Sequence, residues 1–253
     1  MNKKLLHLST VDPQAHELAR QYGLGIELAE FCTAWNLDDE FPATDRSVRQ
    51  KLPCSDHFVM HGPYNELFPC AIDRRARALA RMRYLQTIRV ARGYHIRKIV
   101  LHGGFHPRLY FPCWYVEQSV IFWREFVQEI PEDMVICLEN VLEEEPEHLA
   151  DIIRQTDCPR LRMCLDVGHA NAYSHASPEQ WVRQCADVIG HLHIHNNDGT
   201  WDTHSPLDCG TIPMPHLFET IRECCPRATQ TLELPEAAPS LVWLQENGIW
   251  EES

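Results

Sequence analysis

The chain has 253 residues, of which 44% are hydrophobic, and a formal net charge of −13. This length suits one large domain, which we place over residues 1–253, and the negative charge disfavours a general polyanion-binding protein. No segment is apolar and long enough for a membrane span or a secretory leader, and none of the eleven cysteines forms a C-x-x-C pair. The sequence therefore predicts a reduced, cytoplasmic protein.

Short apolar strands alternate with helices along the chain, as expected for a parallel sheet. The first half predicts, in order, strand 4–8, helix 12–22, strand 25–29, an irregular acidic stretch over 35–51, a strand ending at His61 and an Arg-rich helix over 71–92. The second half predicts a strand ending at His102, a loop over 103–113, a helix over 116–129, strands ending at Glu139, Asp166, His195 and Glu233, helices opening at Pro146 and Pro178, and a closing helix over 240–247. Eight strands in this alternation favour a closed (β/α)8 TIM barrel, and no Gly-rich nucleotide loop supports an open sheet.

Six of the predicted strands end on a side chain that binds divalent metals. These residues are His61, His102, Glu139, Asp166, His195 and Glu233. Working residues of such barrels lie at the C-terminal ends of the strands, so all six would meet at one mouth. Carboxylates and imidazoles together suit Zn²⁺ or Mn²⁺, and three crowded acids would repel each other without a cation. The alternative for any one acid is a helix cap or an arginine pair.

Further candidate ligands lie just beyond the strand ends. His169 follows Asp166 by one turn, and Asp202 and His204 share one loop, although short polar loops often contain such a triplet. In the seventh strand His191, His193 and His195 alternate with apolar residues and so share one face. We expect His195 to be the ligand, and His191 and His193 to be hydrogen-bonded residues of the barrel interior.

The sequence resembles the xylose-isomerase-like TIM barrel superfamily over nearly its whole length. The motifs that carry this resemblance occur in order: His61-Gly-Pro-Tyr64, Leu101-His102-Gly-Gly, Leu138-Glu139-Asn140, Leu165-Asp166-Val-Gly-His169, His195-Asn-Asn-Asp198, Asp202-Thr-His204 and Leu232-Glu233-Leu-Pro235. This superfamily includes sugar and sugar-phosphate isomerases and epimerases, and the endonuclease IV DNA-repair enzymes.

The two branches imply different metal sites. Resemblance to the isomerases implies one metal on Glu139, Asp166, His195 and Glu233. Resemblance to endonuclease IV implies three zinc ions, with Glu139 as a bridge. The ligands would then be His61, His102, Glu139, Asp166, His169, His195, Asp202, His204 and Glu233. The expected cofactor is therefore one to three Zn or Mn ions.

The first functional hypothesis is a metal-dependent sugar or sugar-phosphate isomerase or epimerase. Glu139 and Glu233 would move the proton through a metal-stabilised enediolate, and His169 would orient a substrate hydroxyl if it is not a ligand. The alternative is a multinuclear zinc phosphoester hydrolase similar to endonuclease IV. A third class is a non-catalytic sugar-sensing barrel.

The predicted loops favour a small sugar-like substrate over nucleic acid, without excluding the latter. The loop over 30–45 and the Glu143-Glu144-Glu145 run are acidic and would repel phosphates, whereas nine Arg and Lys of 74–98 fall mainly on an outer helix. Trp35, Tyr64 and Trp201 are candidates for stacking on a sugar ring, with loop packing as the alternative. Arg108 is a candidate for holding a phosphate or carboxylate. The oligomeric state is left open.

Overall fold

Eight short parallel strands close into a barrel, and each strand pairs with its neighbours in chain order. The computed structural model describes residues 3–250, so both ends of the predicted domain lie outside the described residues. Pairing of Leu6 with Gln230 and of Leu8 with Leu232 joins the first strand to the last and completes the ring. The predicted (β/α)8 TIM barrel is therefore confirmed.

The elements are numbered in chain order. The strands are β1 Leu6–Ser9, β2 Gly25–Leu28, β3 Phe58–His61, β4 Lys98–His102, β5 Val135–Glu139, β6 Leu161–Asp166, β7 Ile189–Ile194 and β8 Thr229–Leu232. The helices are α1 Ala15–Tyr22, α2 Ala34–Leu37, α3 Phe41–Lys51, α4 Arg74–Gly93, α5 Pro112–Phe126, α6 Pro146–Thr156, α7 Val167–Tyr173, α8 Pro178–Cys185, α9 Met214–Cys224 and α10 Ala238–Glu246. Short 3-10 turns cover Lys3–Leu5 and Leu52–Cys54.

Successive residues of each strand point alternately outward to the helices and into the barrel. The outward side chains join the helices in one large core, whose bulkiest fully buried members include Trp123, Trp181 and Trp250. Inside the barrel a separate small cluster fills the side formed by β3 to β6, and it consists of Val59, Val100, Cys137 and Cys164. Period-two alternation of a strand produces this division.

The stretch 35–51, predicted to be irregular, instead forms α2 and α3. The Thr33 side chain accepts a hydrogen bond from the backbone N–H of Asn36 and so caps α2, while Pro42 occupies the first turn of α3. Helix α1 begins at Ala15 rather than at residue 12, because the Asp12 carboxylate accepts the backbone N–H groups of Gln14 and Ala237. The prediction for 35–51 was wrong because it relied on the acidic composition of the stretch and did not use these helix-start signals.

Other boundaries agree more closely with the sequence. Pro146 opens α6 as predicted, and Ser177 forms a reciprocal capping box with Gln180 at the start of α8. Helix α5 begins at Pro112 rather than 116, which shortens the predicted 103–113 loop. All eleven cysteines are free. Within residues 3–250 no helix has both the length and the apolarity that a membrane crossing requires.

Candidate metal centre

The side chains of all nine predicted ligands lie close together at the C-terminal end of the barrel. Their nitrogen and oxygen atoms form overlapping groups in which the atoms of each group lie within 4.8 Å of one another. The first of these groups is His61 with His102 and Glu139, the central group is His195 with His204 and Glu233, and the third group is His169 with Asp202 and His204. Asp166 adjoins the central group through His195.

The first group is centred on one oxygen of Glu139, at the end of β5. Its Oε2 lies 3.1 Å from Nε2 of His61 and 3.3 Å from Nε2 of His102. The Nδ1 of His61 donates to the carbonyl of Gly62 at 2.8 Å, which turns Nε2 towards the site. Strand register places His102 directly beside Glu139, and His61 ends the preceding strand, so three consecutive strands, β3, β4 and β5, supply this group.

The central group is organised by Asp166, which caps α7. Its carboxylate accepts the backbone N–H of His169 at 2.7 Å, and both of its oxygens lie 3.1 Å from Nε2 of His195. The side chain of Asn140 bonds both the N–H and the carbonyl of Asp166, at 2.8 and 3.0 Å. Because β6 continues directly into α7, the predicted ligand at the strand end is also the helix cap.

The third group is centred on Asp202 in the β7–α9 loop. Its Oδ2 lies 3.2 Å from Nε2 of His169 and 3.0 Å from Nε2 of His204. His204 donates from Nδ1 to the carbonyl of Glu233 at 2.8 Å, and its backbone has a φ of 46°. A left-handed conformation is uncommon outside glycine, and such strain is concentrated at functional sites.

The charges of the centre are strongly coupled. Burial by itself lowers the pKa of His61, but the hydrogen bond and the charge of Glu139 raise it to about 9. Burial likewise opposes charging of His169, yet Asp166 and Asp202 raise its pKa to about 10. For Asp166 burial raises the pKa, whereas His169 and His195 lower it to about 2. Protonated histidines thus supply the positive charge that the buried carboxylates require.

The donor set fits a divalent cation. Glu139 and Asp166 are almost completely buried, and a cation would balance their charge without protonated histidines. Nδ1 of His195 and Oδ1 of Asp202 are buried and have no hydrogen-bond partner among residues 3–250. Buried polar atoms normally find a partner, and an ion is one explanation when they do not. Mixed imidazole and carboxylate donors suit zinc.

The four predicted substrate-binding residues lie at different distances from the nine predicted ligands. Tyr64 stacks on His102 with ring centroids 4.3 Å apart, and it meets His61 edge-on. Trp201 is 67% exposed and contacts Tyr173, which in turn stacks on His169.

The other two candidates are less closely connected to the centre. Trp35 is 61% exposed at the start of α2, and Arg108 is exposed in the β4–α5 loop. Within residues 3–250 no ring contact or side-chain hydrogen bond joins either of them to the nine ligands.

Several acidic residues in the loops that were predicted to repel phosphate groups have local partners. Glu30 pairs with Lys51 at 2.6 Å, and Asp38 pairs with Arg83 at 2.7 Å. Glu143 is buried and accepts a hydrogen bond from Tyr115. The expected repulsion by these particular acids is therefore weaker than the sequence indicates.

One important residue, Glu27 of β2, was missed by sequence reasoning. It is fully buried inside the barrel and bonds His191 and His193, each at 2.9 Å. These bonds confirm that His191 and His193 are hydrogen-bonded interior residues. The sequence did contain a signal for the interior position of Glu27. Residues alternate along a strand, so Gly25 and Glu27 share the face opposite the apolar Ile26 and Leu28.

The chain belongs to the xylose isomerase-like TIM barrel family, which it matches over residues 16–252. An uncharacterized protein of Methanocaldococcus jannaschii is 30% identical over 181 residues, which are 65% of this chain and 60% of that relative. The chain thus spans less than two thirds of the length of this relative.

Solved structures share the fold at low sequence identity. The TTHB071 protein from Thermus thermophilus, in crystals soaked with ZnCl2, has a TM-score of 0.77 at 23% identity, covering 98% of this chain and all of that one. A D-tagatose 3-epimerase-like protein has a TM-score of 0.75 at 21% identity, covering 96% of this chain and 97% of the other.

Proposed function

We propose that the chain is a divalent-metal-dependent isomerase or epimerase acting on a sugar or sugar phosphate. The observation that carries the proposal is the position of two carboxylates from different strand ends. Oε1 of Glu139 and Oε2 of Glu233 lie 3.2 and 3.1 Å from the same atom, Nδ1 of His193. Asp166 and His195 adjoin them. Two carboxylates beside a cation-binding set are the groups that such a proton transfer needs.

The chain's own residues supply the remaining chemistry. A bound divalent cation would polarise the substrate carbonyl. Glu139 and Glu233 would remove and return a proton on the neighbouring carbon. His193 faces only one oxygen of each, and the second oxygen of Glu139 would act once His61 and His102 turn from it to a cation. His169 is less suited to orienting a substrate hydroxyl, since Nδ1 donates to the carbonyl of Asn140 and Nε2 faces Asp202. We therefore assign His169 first as a ligand.

The mouth suits a small polyol. Tyr64 stacks on His102, and Trp201 contacts the Tyr173 ring that stacks on His169, so both offer apolar faces near the centre for a sugar ring. The mouth is formed by the loops that connect each strand to its next helix, together with the α2–α3 and α7–α8 connections. Within the described residues, Arg108 is the single lysine or arginine of these mouth loops. A phosphate group on the substrate would thus have Arg108 or the cation itself as its partner. The epimerase-like structural neighbour supports the same substrate class.

A second candidate, a multinuclear zinc phosphoester hydrolase, is favoured by one observation. The groups around His61 and around Asp202 are more than a single metal requires, and several close cations suit phosphoester cleavage. Against a DNA substrate, the mouth loops hold one arginine, and backbone binding relies on several cations. A non-catalytic sugar-sensing barrel is less favoured, because both Glu139 and Glu233 are present.

Two measurements test the choice. The zinc- or manganese-loaded protein is incubated in D2O with a panel of ketoses and aldoses, and deuterium incorporation next to the carbonyl is followed by NMR. The same preparation is incubated with an abasic DNA duplex at low salt. Exchange without nicking supports the isomerase; nicking without exchange overturns it in favour of the hydrolase.

Glu233→Gln provides the variant, and Glu236→Gln, an exposed glutamate on the same loop, provides its control. Turnover should be lost in the first and kept in the second. Turnover retained by Glu233→Gln would remove Glu233 from the mechanism.

A further inference from the structure

The ionisable side chain of Glu27 lies inside the barrel beside the metal-ligand carboxylates. Its carboxylate accepts three hydrogen bonds, from Nε2 of His191 at 2.9 Å, Nε2 of His193 at 2.9 Å and Oγ1 of Thr231 at 2.6 Å. Residue Glu27 has no solvent-exposed surface. A buried carboxylate is tolerated only when such donors compensate for the water it has lost.

His193 connects Glu27 to the proposed acid–base pair. Nε2 faces Glu27, while Nδ1 lies 3.2 Å from Oε1 of Glu139 and 3.1 Å from Oε2 of Glu233. Carboxylate oxygens accept hydrogen bonds, so the imidazole donates from both of its nitrogens. One fixed ring is therefore placed between Glu27 and the two carboxylates of the site.

Filling of the barrel does not require this polar arrangement. On β3 to β6 the interior is occupied by Val59, Val100, Cys137 and Cys164. The polar residues Glu27, His193 and Thr231 occupy β2, β7 and β8 instead, on the side that carries Glu233. Apolar residues of similar volume would fill the same space at lower desolvation cost.

A second metal site is the competing explanation, because two further groups lie close enough to share a cation: Cys164 with His191 and His193, and Glu27 with His61 and His193. The atoms of the two histidines, however, already have partners. Nδ1 of His191 bonds Oγ1 of Thr229 at 2.6 Å, and Nε2 of His191 and of His193 are both taken by Glu27. Such a site would depend on His193, both of whose nitrogens face carboxylates. His61, His169 and His204 differ, because each bonds a backbone carbonyl through Nδ1 and turns Nε2 towards the candidate metal centre.

We propose that Glu27 and His193 are positioning residues that hold Glu139 and Glu233 by one carboxylate oxygen each. For Glu139 this assigns Oε1 to His193 and leaves Oε2 facing His61 and His102. Each carboxylate is thereby kept from binding a cation through both oxygens, and one oxygen stays available for ligation or proton transfer. The inference rests on the proposed function for the acid–base role of the pair.

The test replaces Glu27 by Gln in the full chain loaded with Co²⁺, whose visible spectrum reports ligand geometry. We expect the Co²⁺ spectrum to change and kcat for the exchanging sugar to fall about 10- to 100-fold with KM within about twofold, as for other residues that orient metal ligands. Glu143→Gln is the control, because Glu143 is also a buried, hydrogen-bonded carboxylate. It should leave both the spectrum and kcat unchanged.

The possible outcomes separate this inference from the proposed function. A changed Co²⁺ spectrum in Glu27→Gln, in a protein whose wild type exchanges no sugar proton, supports positioning and refutes the isomerase. Three results would overturn the positioning role. The first is a Glu27→Gln variant that keeps the wild-type spectrum and kcat, and the second is a Glu27→Gln variant that changes no more than Glu143→Gln. The third is a wild-type protein that binds no Co²⁺.

If Glu27→Gln does not fold, Thr231→Val removes one donor to Glu27 while preserving side-chain shape. This variant should show the same spectral change and a smaller loss of kcat, about two- to tenfold, because one of three donors to Glu27 is removed. An unchanged spectrum and kcat in Thr231→Val would then overturn the proposal.

Discussion

Gly168 has a steric role that a matched pair of substitutions tests. It follows Asp166 in the first turn of α7, and a Cβ added there would overlap the ring of His195. Because His195 is fully buried and bonded to Asp166, the ring has to move to accept a methyl group. Overpacking of this kind costs about 1–3 kcal/mol. Displacement of His195 should also weaken metal binding.

Gly93, the last residue of α4, is the control. A Cβ added there meets no atom within 4 Å, and its backbone is not left-handed. Gly93→Ala should therefore stabilise the protein by about 0.4–1 kcal/mol, because alanine restricts the unfolded chain. The two variants should differ by roughly 1.5–4 kcal/mol in the free energy of unfolding, measured by urea titration of metal-free protein. Equal stabilities, or unchanged zinc affinity in Gly168→Ala, would refute this account of the contact.

Three other predictions concern charge, capping and the third ligand group. In metal-free protein the pKa values of His61, His169 and His204 are raised to about 9, 10 and 9. The stability that these protonated histidines contribute is therefore complete below pH 6.5, and it is lost as the pH rises through 9 to 10. Tm should fall over this range, and added zinc should restore it; a Tm that rises with pH would contradict the coupling. Ser177→Ala removes the cap of α8 and should cost about 1 kcal/mol in urea unfolding, with wild-type stability as the contrary result. Asp202→Asn should lower the zinc content per chain without unfolding the barrel; an unchanged content would show that this group binds no ion.

The strand ends were the most predictable part of the molecule. A short apolar run followed by a metal-binding side chain specifies both the strand and the mouth, because parallel strands of a barrel point the same way. Alternation along β7 likewise predicted that His191, His193 and His195 share the interior face, which the contacts of these residues with Glu27 and Asp166 match.

Partners distant in the chain were not predictable. Glu27 looked unremarkable within a four-residue strand, because the donors that satisfy it come from β7 and β8, far along the sequence. Pairing of Glu30 with Lys51, and of Asp38 with Arg83, depends on how α3 and α4 pack beside the loop, so composition alone overstated the repulsion. Local patterns determine which face a residue occupies, whereas its partner depends on the closed barrel.

The scarcity of basic residues around the mouth has a consequence for how a cation would arrive. The strand-to-helix loops and the connections from α2 to α3 and from α7 to α8 together contain fifteen Asp or Glu against Arg108, all within the part of the chain that the structure describes. Even with some of these acids paired, the entrance bears negative potential, which concentrates divalent ions locally and accelerates their capture. The association rate of zinc with metal-free protein should consequently fall as ionic strength rises, while the slow release from the buried ligands should respond far less.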